Sequence, residues 1–137
     1  LACNEHTELA RHADLAIHAP PGPEVLMGST RLKAGTATKL ILHMLTTGAM
    51  VRTGTVYQDL MVDLCISNSK LSDRALRILR HATGVGEEDA SRLLKQAGGS
   101  VKTAIVMQLG GVDADQARRA LEETGGWVGP AIQKLKV

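Results

Sequence analysis

Gly98-Gly99-Ser100-Val101-Lys102-Thr103-Ala104-Ile105 recurs 27 positions later as Gly125-Gly126-Trp127-Val128-Gly129-Pro130-Ala131-Ile132. The same shift carries Gly84-Val85 onto Gly111-Val112, and Ala90, Arg92 and Leu94 onto Ala117, Arg119 and Leu121. Each copy reads as helix, Gly-Gly turn, helix, because apolar residues fall at helical spacing and glycine supplies the left-handed conformation that ends the first helix. Glu87, Glu88 and Asp89 in one copy, and Asp113 and Asp115 in the other, stand in opening turns, where the helix dipole favours negative charge. Residues 71–137 are therefore expected to form a helical domain built on an internal repeat. Two copies are too few for an extended solenoid.

Working upstream, Asn68 to Ala82 predicts a helix with Leu71, Ala75, Ile78, Leu79 and Ala82 on one side. Arg74, Arg77 and Arg80 fall on another face and read as a solvated surface. Val56 to Ile66 fits a helical turn or a strand, and is expected to be a mostly irregular or helical connection. Thr36 to Arg52 predicts a long helix whose Leu40, Ile41, Met44, Leu45, Gly48 and Val51 make a buried face, with Gly48 admitting a close neighbour and Gly54 as terminator. At the start, a strand end (Leu1 to Cys3), a helix (Glu5 to Ala13) and a strand (Leu15 to His18) suggest the tail of an α/β unit. Pro20-Pro21-Gly22-Pro23 then forbids regular structure. The fold class expected is an α/β remnant grading into mostly α. Leu1-Ala2-Cys3 in place of an initiator Met further suggests the C-terminal part of a longer protein.

Bulk properties narrow the function classes. A chain of 137 residues with 44% hydrophobic and 22% charged residues reads as globular, with one real core. A net charge of +2, one Trp, one Tyr and no Phe argue against a nucleic-acid partner, which needs a basic footprint and stacking platforms. No stretch approaches the roughly 18 apolar residues that span a bilayer, so no membrane partner is expected. Cys3 and Cys65 read as small buried or half-buried thiols of a reducing compartment. His6, His12 and His18 recur every six residues, which fits no helical or hairpin ligand pair, so no metal site is expected.

The chemistry concentrates between residues 22 and 36, Gly22-Pro23-Glu24-Val25-Leu26-Met27-Gly28-Ser29-Thr30-Arg31-Leu32-Lys33-Ala34-Gly35-Thr36. A turn-forming Gly-Pro, one carboxylate, two adjacent hydroxyls and two cations lie ahead of the long helix. Such a junction suits a small anionic polyol, since a helix N-terminus offers unpaired N–H groups and the Ser, Thr, Arg and Lys side chains add donors. Ser29, Thr30 and Arg31 are the leading ligand contacts. The bland alternative is that Ser29 or Thr30 caps the helix while Arg31 pins the loop. Glu24 reads either as an acceptor for a sugar hydroxyl or as an ion-pair partner of Arg31 or Lys33, and Lys33 itself reads as structural.

This run closely resembles the signature of the N-acetylmuramic acid 6-phosphate etherases, a family that includes, more distantly, the glucokinase regulatory proteins. The likeness extends from Ala2-Cys3-Asn4 through Asn68 and Lys70 to the segment Gly98 to Met107. It implies the C-terminal part of a sugar isomerase (SIS) domain over residues 1–70, working as a homodimer in the cytoplasm. The tail, 71–137, resembles small three-helix domains related to ubiquitin-associated modules. The implied reaction cleaves the lactyl ether of N-acetylmuramic acid 6-phosphate, a phosphorylated amino sugar, to D-lactate and N-acetylglucosamine 6-phosphate, with no cofactor and no metal. The family's proton-transferring glutamates lie in an N-terminal half absent from this sequence, so no catalytic residue is assigned here. Asn68 and Lys70 match the family's Asn-x-Lys, and the resemblance implies that this lysine neutralises substrate phosphate or carboxylate. His43, Gln58-Asp59, Cys65 and Ser67 depart from the family pattern, all outside the signature. The alternative is a non-catalytic regulatory module that binds sugar phosphates.

Overall fold

The computed structural model describes residues 1–136 and is mostly helical. It divides into two compact units, Leu1–Ala49 and Met50–Val137.

In the first unit the α/β character is slight. Ala2 and His18 form one isolated parallel bridge, in which Ala2 N–H donates to Ile17 O and Ala19 N–H to Ala2 O (3.0 and 2.9 Å). The expected strands shrink to this bridge. Between its arms lies α1, Glu8–Arg11, where a longer helix was expected. The hydroxyl of Thr7 caps α1 by accepting from Ala10 N–H, which fixes its start at Glu8, three residues later than expected. Helix α2, Lys33–Arg52, begins three residues before the expected Thr36. Its buried face is not observed: α2 has no buried residue. Leu40, Met44 and Leu45 are 54%, 65% and 49% exposed, and nothing lies within 4 Å of a Cβ built on Gly48. The apolar spacing is real, but within this unit no element covers it.

The hydrophobic core belongs to the second unit. After α2 comes a short antiparallel hairpin, β1 Val56–Tyr57 and β2 Leu60–Met61, in place of the irregular or helical connection expected. Its two-residue turn puts Gln58 at φ 56°, a conformation that such turns usually give to glycine. Val62, directly after β2, is 1% exposed and anchors the hairpin in the core. Thr55 precedes it, donating its hydroxyl to Met50 O (2.6 Å) and accepting at its carbonyl from Val62 N–H (2.9 Å). Gly54, at φ +73°, passes so close to the second Gly-Gly turn that an added Cβ would sit 3.2 Å from Gly126 O.

Five helices follow: α3 Ser69–Thr83, α4 Glu87–Gln96, α5 Val101–Gly110, α6 Ala114–Glu123 and α7 Val128–Leu135. The 27-residue repeat holds in three dimensions, since α6 begins and ends 27 positions after α4. Gly84 and Gly111 both close their helices in the left-handed region, at φ 74° and 66°. Gly98-Gly99 and Gly125-Gly126 adopt matching positive φ values, and Gly99 N–H and Gly126 N–H return to Leu94 O and Leu121 O. Buried residues recur as pairs: Ala90 with Ala117, Leu94 with Leu121, Val101 with Val128, Ala104 with Ala131, Ile105 with Ile132. The copies differ at their caps. Ser100 caps α5 by accepting from Thr103 N–H, whereas Trp127 offers α7 no side-chain cap. Asp113 and Gln116 form a reciprocal capping box on α6, whereas α4 starts at an uncapped Gly86 behind three acidic residues.

Helix α5 is the centre. Six of its ten residues, Val101, Thr103, Ala104, Ile105, Val106 and Met107, are buried, and it packs against α3, α4, α6 and α7. A helix apolar round its circumference must be enclosed on all sides. Ile105, fully buried, is expected to cost about 2–5 kcal/mol of the second unit's stability on truncation to Ala. Leu45→Ala on exposed α2 is expected to cost less than about 0.5 kcal/mol. Amide exchange along α2 measures the second, and denaturant unfolding followed at Trp127, the chain's single Trp, measures the first. The same assay should show Gln58→Gly stabilising the unit by up to about 1 kcal/mol, because it removes a left-handed strain that a side chain feels and glycine does not.

Candidate functional site

The signature loop is folded by Glu24. One carboxylate oxygen accepts from Lys33 N–H and the other from Ala34 N–H, both at 3.0 Å. These are the first two residues of α2, so a carboxylate nine residues upstream caps the helix from outside its own turn. The two backbone donors hold the Glu24 carboxyl below its ordinary range, Ala34 contributing most and Lys33 next. The next two amides are also satisfied, Gly35 N–H by Thr30 O and Thr36 N–H by Leu32 O. All four leading amides of α2 therefore have partners, and the free helix N-terminus expected for an anion is occupied from within the chain. The ion pair with Arg31 or Lys33 considered for Glu24 does not form, because its partners are backbone amides and not those side chains. Periodicity carries no signal for a cap that reaches across nine residues.

Lys33 supports the loop from the other direction, its ammonium donating to Pro23 O at 3.0 Å. Between these two tethers the chain turns through Gly28, at φ 82°, and Ser29 N–H closes the turn onto Leu26 O. Ser29 is half-buried, while Thr30 and Arg31 are exposed. Among the described residues neither hydroxyl has a hydrogen-bond partner and Arg31 has no carboxylate partner. Neither hydroxyl caps α2, since Glu24 performs that task. The loop thus presents two hydroxyls and a guanidinium as free donors on a backbone fixed at both ends. Sequence reasoning did not mark Cys3, whose thiol lies 3.8 Å from Ala34 O and 3.6 Å from the Thr38 hydroxyl, beside the same first turns of α2. Cys65, by contrast, is exposed, which corrects the expectation of a sheltered thiol.

The other two candidates lie in the second unit. Asn68 caps α3, its side-chain oxygen accepting from Leu71 N–H at 2.9 Å. That bond fixes where α3 starts and hence where Lys70 emerges, one residue inside the helix. Lys70 is exposed and has no carboxylate partner among the described residues. Its loop is held to the core by Lys102, only 14% exposed, which pairs with Asp63 at 3.0 Å. No group of three or more His, Cys, Asp or Glu side chains is placed to hold a metal ion among the described residues. His6, His12 and His18 all lie on the surface. No described helix is long and apolar enough to cross a membrane.

Known proteins match this chain along almost all of it. A family model described as the C-terminal lid domain of glucokinase regulatory protein matches residues 58–102. The N-acetylmuramic acid 6-phosphate etherase of Rhizobium rhizogenes is 53% identical over 132 residues, covering 96% of this chain and 43% of the relative. Proteins of the same name from Salmonella paratyphi B and Salmonella schwarzengrund are each 50% identical over 133 residues, covering 97% of this chain and 45% of the relative. The chain spans a little under half the length of these curated relatives. By its sequence, the chain is similar along almost its whole length to N-acetylmuramic acid 6-phosphate etherases.

Proposed function

We propose that this chain is part of a lyase that cleaves the D-lactyl ether of N-acetylmuramic acid 6-phosphate in the recycling of cell-wall sugar. The observation that carries the reading is identity of 50–53% to etherases across nearly the whole chain. In the open-chain sugar the ether at C3 lies β to the C1 aldehyde. Removal of the C2 proton lets lactate leave, and water then adds to the unsaturated aldehyde. This route needs a general base, a general acid and firm binding of the anionic groups. The proton-transfer groups belong to the portion of the enzyme that this chain does not include.

In this reading residues 1–70 contribute to a sugar isomerase domain and 71–137 form its helical, ubiquitin-associated-like tail. The whole enzyme is a cytoplasmic homodimer. Ser29 and Thr30 hydrogen-bond the sugar phosphate or its hydroxyls, and Arg31 supplies a charge-assisted contact. The free donors of these three side chains support that assignment. Glu24 acts as a positioning residue, shaping the loop through its bonds to Lys33 and Ala34. Asn68 positions Lys70, which neutralises phosphate or the lactyl carboxylate. The match to a lid domain of glucokinase regulatory protein favours a second reading, a non-catalytic module that senses sugar phosphates.

Lactate release from N-acetylmuramic acid 6-phosphate separates the two. The full-length enzyme containing this sequence should release lactate and the 137-residue chain alone should not; silence from both, with sugar-phosphate binding retained, would favour the sensor. In the full-length enzyme, Arg31→Ala or Lys70→Ala should reduce turnover at least about tenfold, the scale of one charge-assisted contact. Unchanged kinetics in both variants would remove these residues from the site. Glu24 gives a pH signature. Its folded pKa is depressed, so its contribution to ordering α2 is complete above the unfolded carboxyl pKa and is lost as pH falls through the folded value. Amide exchange at Lys33 and Ala34 should accelerate over that acid range in the parent chain and be fast at every pH in Glu24→Ala.

A further inference from the structure

The exposed face of α3 carries an excess of positive charge that helix electrostatics does not account for. Lys70, Arg74, Arg77 and His81 are all exposed and follow one another at intervals of four, three and four residues. That spacing sets them in one line along the helix, about 16 Å long at roughly 1.5 Å per residue. Arg80 flanks the line and is paired with Glu87 at 3.3 Å. Arg92 and Arg118 likewise hold Asp89 and Asp115, at 2.7 and 2.6 Å. Arg74 and Arg77 have no carboxylate partner among the described residues, although Asp73 sits on the same helix.

Position along the helix sharpens the point. Arg80 and His81 occupy the last turn, where cations complement the dipole. Arg74 and Arg77 lie in the middle, where the dipole gives them nothing. Lys70 stands in the first turn, the positive end, which contains no acidic residue. The neighbouring α4 shows the ordinary arrangement, with Glu87, Glu88 and Asp89 in its first turn. The line of cations ends at an open concavity of about 400 Å³ lined by Arg77, Arg80, His81, Gly84 and Val85.

We infer that this face of α3 is an electrostatic guide for the phosphorylated, carboxylate-bearing sugar, gathering the anion at Arg77 and Arg74 and passing it along the helix to Lys70. The inference rests on the etherase reading for the identity of its ligand. A phosphate ester carries about −1.5 to −2 charge near neutral pH, and a lactyl carboxylate adds to it. An open cationic surface raises the local concentration of such an ion and does so most strongly at low salt.

The test compares the full-length etherase containing this sequence with its Arg74→Gln/Arg77→Gln double variant and, as a control, Arg92→Gln. Lactate release is measured from about 20 mM to about 500 mM salt, a range that takes the screening length from well beyond to below the spacing of the cations. The double variant should keep its kcat, lose about three- to tenfold in kcat/KM at low salt, and converge with the parent at high salt. Arg92→Gln should follow the parent throughout. A double variant whose kcat/KM matches the parent at every salt concentration overturns the guide while leaving the etherase reading intact. An equal loss at all salt concentrations overturns it in favour of a structural or directly bonding role. Absence of lactate release in the parent removes the etherase reading, and titration of the 137-residue chain with inorganic phosphate then decides the guide. Salt-sensitive shifts of the α3 amides from Lys70 to Gly84 keep an anion-gathering face, and unmoved amides overturn it.

Discussion

The enclosure of α5 is the constraint from which the second unit is built. A ten-residue helix with buried groups on every side has no face to offer water, so four other helices are required around it. The repeat meets this demand economically: each Gly-Gly turn reverses the chain in a left-handed step, and the following helix returns against the core. Side-chain hydroxyls handle the polar residue of the problem. Thr103, buried inside α5, donates to the Ser100 hydroxyl that caps the same helix, so the one hydroxyl within α5 carries no unmet hydrogen bond.

The first unit follows a different logic. There the strongest local restraint is polar, a carboxylate that closes the start of α2 and fixes the loop before it. Its apolar side chains remain in the open. Burial of a Leu or Met side chain contributes about 1.5–3 kcal/mol, so an α2 with none buried forgoes the largest source of stability available to it.

Most of the helical architecture was legible because the signals were periodic. Ala75, Ile78 and Leu79 repeat at helical spacing and bury where that spacing says they should, and glycine marks both turns of the repeat. The hairpin at residues 56–61 escaped because its turn is Gln58-Asp59, a pair that lacks the glycine by which such turns announce themselves. The uncovered state of α2 was illegible for another reason: periodicity reports which face is apolar and says nothing of what is there to cover it. At the candidate site, residue types identified the loop, yet the role of Glu24 required coordinates. A carboxylate capping a helix from nine residues away leaves no trace in spacing rules written for caps at the helix boundary.

Gly54 and Gly126 approach closely, an added Cβ on the first lying 3.2 Å from the carbonyl oxygen of the second, and both are in the left-handed region. One belongs to the loop leaving α2 and the other to the second repeat. Their contact makes the two copies of the repeat unequal in their surroundings: Gly99 faces open space, while the carbonyl of its counterpart Gly126 lies against a residue outside the repeat. The constraint therefore falls on position 54, where any side chain would crowd the Gly126 carbonyl, so the second turn and the loop leaving α2 must shift together if either is altered in backbone path.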